Sequence, residues 1–130
     1  DCAFLMAADE DNDALTVPLK LKGLEELSNR VFVYHAANDI MLTISDRTKG
    51  MPKRLGSDGP ENLDRTGERV FALDCRKISD TDLVHGRHQY YRLRDEAIRD
   101  IRDTLADIPQ EERPNRQTIR PGRSWRLREN

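Results

Sequence analysis

This chain has no long apolar run. No stretch approaches the ~18 consecutive apolar residues of a membrane-spanning helix, so no membrane span is expected. Cysteine is scarce. Cys2 and Cys75 are the only two, neither belongs to a Cys-x-x-Cys pair, and both fall in strand-like segments. They read as buried free thiols and leave the redox compartment open. The histidines build no zinc site, since His85 and His88 stand three apart with no acid motif beside them. There is no internal repeat and no motif that calls for a cofactor. Neither sign of charge dominates: the formal net charge is −2, which says little about partners.

Over 130 residues, 35% are charged and 36% apolar. One domain is the natural expectation, but its core is thin for a three-layer fold. The chain also enters at once into the apolar run Cys2–Ala8, as if within a larger sheet. The expectation is therefore part of a domain over residues 1–109, followed by an Arg-rich tail over 110–130. That tail holds six Arg against three acids, or +3, and leaves −5 for the rest. Nothing fixes the compartment; cytoplasmic is the working expectation.

Residues 3–8, 31–36 and 69–75 are short apolar runs of the kind that form strands covered on both faces. Leu19, Leu21, Leu24 and Leu27 set a helical stripe through Pro18–Ser28. Asn38 or Asp39 can cap a helix to about Arg47, with Met41, Leu42 and Ile44 on its apolar face. Gly50 to Gly67 reads as a long loop and Lys77–Leu83 as a polar one. A helix is expected from about Tyr90 to Asp107, with Leu93, Ala97, Ile98, Ile101 and Leu105 on one side. Strands alternating with helices predict an α/β fold: a parallel sheet of three strands with flanking helices.

In such sheets, sites form beyond the C-terminal ends of the strands. Asp39 follows the strand Val31-Phe32-Val33-Tyr34, and His88 follows Val70-Phe71-Ala72-Leu73-Asp74. A serine hydrolase needs an imidazole to take the hydroxyl proton. It also needs a carboxylate to hold that imidazole's tautomer and stabilise its cation. Asp before His, in that chain order, is the α/β-hydrolase order. No Gly-x-Ser-x-Gly occurs, so the nucleophile is expected upstream of these residues.

Four stretches carry a family resemblance. They are Phe4-Leu5-Met6-Ala7-Ala8-Asp9-Glu10-Asp11, Val31-Phe32-Val33-Tyr34-His35-Ala36-Ala37-Asn38-Asp39, Arg54-Leu55-Gly56 and His88-Gln89-Tyr90-Tyr91. Over residues 3–107 the chain resembles the C-terminal part of a bacterial α/β-hydrolase family of unknown function. The resemblance implies an esterase- or lipase-like serine hydrolase acting on an acyl ester, with Asp39 as triad acid and His88 as base. The expected geometry is an Asp39 oxygen within about 3 Å of His88 Nδ1.

Rival assignments are Asp9 as the acid and His85 as the imidazole. Asp9, Asp11 and Asp13 have calcium-loop spacing, but Ala14 and Lys20 stand where that loop needs Gly and Glu, so a solvated acidic loop is expected. Trp125 within the basic tail reads as an anchor rather than a base-stacking residue, and no nucleic acid is expected. The alternative function is a non-catalytic α/β interaction module whose basic tail binds a partner.

Overall fold

The computed structural model describes residues 1–42, 44, 53–79 and 88–129. Its strands are β1 (Cys2–Met6), β2 (Arg30–His35), β3 (Val70–Asp74), β4 (Arg116–Arg120) and β5 (Ser124–Leu127). They form one mixed sheet in the order β1-β2-β3-β5-β4. β1, β2, β3 and β5 run parallel, and β4 returns antiparallel to β5. The α/β class and the first three strands thus agree with the sequence pattern.

Among the described residues the sheet has five strands, not three, and residues 116–127 are not a tail. They fold as a hairpin whose second strand seals the open edge of β3. The physical reason lies in alternation. Trp125 and Leu127 point into one core while Ser124 and Arg126 point away from it. This period-2 pattern was masked by the surrounding arginines. Gly122, at φ +68, makes the turn.

Each face of the sheet carries its own apolar cluster. Phe32, Tyr34, Leu73, Tyr90, Trp125 and Leu127 lie in the larger, and Leu15, Val31, Val33, Leu55 and Val70 in the smaller. Phe4, Phe32, Phe71 and Trp125 form an aromatic ladder across four strands, with neighbouring centroids 5.6, 5.1 and 6.2 Å apart.

Two helix expectations and one loop expectation need correction. Pro18–Ser28 shrinks to Leu24–Leu27, because Leu19 adopts φ +72 and stands fully exposed. The expected long loop contains a helical turn, Leu55–Asp58, although Gly50 and Pro52 lie outside the described residues. The expected 90–107 helix breaks at Arg94, whose extended backbone separates Tyr90–Leu93 from Asp95–Leu105. The second helix then buries Glu96, Ala97, Asp100 and Thr104, while Leu93, Ile98 and Leu105 face out. Asp100 turns inward because Arg116 meets it there, in a bidentate pair at 2.6 and 2.8 Å.

Arg54-Leu55-Gly56 is a backbone clamp on the C-terminal ends of β1 and β2. The Gly56 amide donates to Ala8 O at 2.9 Å, and its carbonyl accepts from the Ala36 amide at 2.9 Å. A Cβ on Gly56 would lie 2.3 Å from the Ala7 carbonyl carbon and 2.4 Å from the Ala8 nitrogen. Both are backbone atoms that cannot swing aside. Gly56→Ala should therefore destabilise the fold by about 1–3 kcal/mol, the range of overpacking. Urea denaturation measures it, and an unchanged midpoint would show that the clamp yields freely.

Candidate functional site

Asp39 lies four residues past the end of β2, where the chain turns into a helix. It is fully buried. Its two oxygens have separate tasks. Oδ1 accepts the Leu42 amide at 3.1 Å, capping the helix that begins at residue 40. Oδ2 accepts Nδ1–H of His88 at 2.8 Å. That distance meets the geometry expected of a triad acid and its imidazole. With Nδ1 donating, Nε2 carries the lone pair and can take a proton. The His88 side chain keeps 30% of its surface open while Asp39 has none. Among the described residues, His88 makes no hydrogen bond other than this one.

Aromatic rings support the imidazole. Tyr91 meets His88 edge-on at 6.5 Å, and Tyr90 meets Tyr91 edge-on at 5.9 Å. Tyr90 is buried in the larger core, anchoring the segment that presents His88. Burial pushes its phenol well above the ordinary range, helped by Cys75 and Asp39 nearby. The His-x-Tyr-Tyr stretch is therefore a histidine and the hydrophobic anchor beneath it.

The rival residues are placed elsewhere. Asp9 lies 3.4 Å from the buried Arg54, which also binds Asp11 at 3.0 Å. Lys20 bridges Asp11 and Asp13 at 2.7 and 3.0 Å, and its hydrogen bond holds the Asp11 carboxyl below its usual range. The acidic loop is thus engaged by two cations of the protein itself. His85 lies outside the described residues, as do most of the expected helix beyond Leu42 and all of the loop after Ser79.

Sequence reasoning missed a second polar cluster on the same sheet edge. Buried Asp74, the last residue of β3, accepts Nε of both Arg76 and Arg126, at 3.0 and 2.9 Å. His35, its register partner on β2, donates Nδ1–H to Ser57 O at 3.3 Å. Burial pulls the His35 imidazole below its ordinary range, against the raising effect of Asp74. His35, Asp74, Arg76 and Arg126 line a cavity of about 270 Å³ with Asp58 and Ser124. The available signal was a histidine and an aspartate each ending a parallel strand.

Family models, curated proteins and solved structures, when compared with this chain, give no match.

Proposed function

We propose that this chain carries the acid and base of a serine hydrolase acting on an ester or related acyl bond. The 2.8 Å contact between Asp39 Oδ2 and His88 Nδ1 carries the reading. His88 takes the proton of a serine hydroxyl through Nε2 as that oxygen attacks the acyl carbon. It then returns the proton to the leaving alcohol. Asp39 holds the tautomer and stabilises the imidazolium. The serine and the oxyanion hole come from a segment upstream of these residues. Ile40, Met41 and Ile44, which follow Asp39 in sequence, are 41, 52 and 53% exposed and offer apolar surface of the kind an acyl group covers.

The alternative, a non-catalytic module with a basic binding arm, has less support. Arg113 and Arg116 of the presumed arm are buried within the fold, so fewer cations remain for a partner.

The first test is competence. Residues 1–130 alone should hydrolyse p-nitrophenyl esters no faster than buffer. A longer form with a Gly-x-Ser-x-Gly upstream should turn them over and label covalently at that serine with a fluorophosphonate. A longer form that folds but neither turns over esters nor labels would overturn the proposal.

A further inference from the structure

One face of the sheet is covered unevenly. The smaller cluster packs Leu15, Leu55 and Leu63 onto β2 and the start of β3, and no residue of β4 or β5 joins it. The gap left there is the cavity of about 270 Å³. Strand register explains its shape. His35, Asp74 and Arg126 are level on β2, β3 and β5, and Ala72 and Ser124 are level one pleat earlier. Side chains two apart on a strand share a face, so both rows line the same side. Ala72 and Ser124 are small and leave a low floor, while the first row closes one end with charge. Pro60, Leu63 and Ile119 complete the lining. Ile119 sits where β4 slips against β5, between Thr118 and Arg120, and such bulges re-aim a side chain.

These walls are held in place. Arg123 Nη2 donates to Leu63 O, Thr66 Oγ1 and Gly67 O at 2.7, 3.1 and 3.1 Å, and Arg120 pairs with Asp64, tying the same loop to the end of β4. The charge at the closed end is also ordered. Burial alone would raise the Asp74 carboxyl, but the Arg76 amide and the guanidinium groups of Arg76 and Arg126 outweigh it and hold it below its usual range. Asp74 takes Arg126 through Nε, at 2.9 Å. Among the described residues, the two terminal amines of Arg126 make no hydrogen bond. Such a pair of parallel donors fits a carboxylate end-on. The Arg126 side chain is 30% exposed, so a ligand can reach it. Asp58, exposed on the same cavity, works against a doubly charged anion.

We propose that this cavity binds a small organic monocarboxylate, with its carboxylate on the Nη1 and Nη2 amines of Arg126 and its short apolar body over Ala72 and Ser124, against Pro60, Leu63 and Ile119. The volume lies below the range of drug-sized pockets and suits a body of a few carbons. His35 is not needed for charge, because its Nδ1–H already serves Ser57 O. The site is separate from the Asp39–His88 pair, whose anchor Tyr90 lies in the larger cluster on the other face. It does not rest on the hydrolase reading. All of its walls come from residues 35–126, and β3 in its floor lies two strands from the edge strand β1.

NMR titration of the isotope-labelled chain with acetate, butanoate and hexanoate tests this. The amides of Ala72 and Ser124 and the Arg126 guanidinium should shift saturably, with affinity rising up to about fourfold per methylene. Butylamine and inorganic phosphate should not displace hexanoate. Arg126→Gln should weaken butanoate about tenfold or more, the size of a charge-assisted hydrogen bond. That variant also takes a partner from Asp74, so a second one keeps the charges: Ser124→Leu fills the floor and should abolish hexanoate binding. The chain-length series in the unaltered chain depends on neither variant folding. Equal affinity for acetate and hexanoate, or tighter binding of phosphate, would mean plain ion binding and overturn the proposal. So would shifts at His88 without shifts at Ser124, unchanged hexanoate binding in folded Ser124→Leu, or no saturable shift with any of the three acids.

Discussion

In a form that includes the proposed nucleophile, His88→Ala should lower kcat for an acyl ester by about four to six orders of magnitude, the range seen when a triad base is removed. Asp39→Asn should cost about four orders. The asparagine variant is the sharper probe. Its side-chain oxygen can still accept the Leu42 amide, so the helix cap survives and the local fold with it. What it loses is the charge at 2.8 Å from Nδ1, and with it the hold on the tautomer. Imidazole nitrogen chemical shifts report that tautomer without any turnover. A longer form in which folded His88→Ala retains near-normal ester turnover would remove the residue from the mechanism. His85→Ala, the comparison, should leave turnover close to wild type.

The second large effect concerns stability. Asp100 and Arg116 have side chains 0% and 1% exposed, and their pairing is bidentate. Tyr34 donates its hydroxyl to Asp100 Oδ2 at 2.6 Å, and Thr104 Oγ1 accepts from Arg113 at 2.6 Å. Burial, then the Asp100 charge, pushes the Tyr34 phenol far up, so it remains a donor. The Arg116 guanidinium also lies 5.0 Å from the Trp125 ring centre. Arg116→Met strands a buried carboxylate with too few donors. It should cost about 3–5 kcal/mol of unfolding free energy by urea denaturation. Adding Asp100→Leu should recover much of that loss, because removing both charges also removes their desolvation penalty. A loss below about 1 kcal/mol for Arg116→Met, the value of an exposed pair, would show that water reaches the site.

The legible parts of this chain were those in which pattern and packing agree. Runs such as Val31-Phe32-Val33-Tyr34 read directly as parallel strands, and the carboxylate and imidazole beyond two such strands proved to lie in contact. What escaped reading depends on partners distant in sequence. The Asp95–Leu105 helix buries Asp100 rather than Ile98 because Arg116, sixteen residues on, offers it a compensating charge. Local periodicity contains no such term. The C-terminal hairpin hid behind its arginines for the same reason, since its partner is β3, some 50 residues earlier. Arg54 read as one element of a motif, while its burial between Asp9 and Asp11 appears only once the loop closes.

That late-arriving hairpin also sets an order of events during synthesis. β1, β2 and β3 leave the ribosome before the hairpin, and β3 keeps a bare hydrogen-bonding edge until Ser124 reaches Ala72. Pairing strands that far apart in sequence costs more entropy before contacts repay it than forming the local hairpin does. The hairpin can therefore form early as a unit and dock as one piece, with Trp125 entering beside Phe71 at the last step. The nascent chain is thus open to misassociation at the β3 edge in the interval after Asp74 has emerged and before Trp125 has docked.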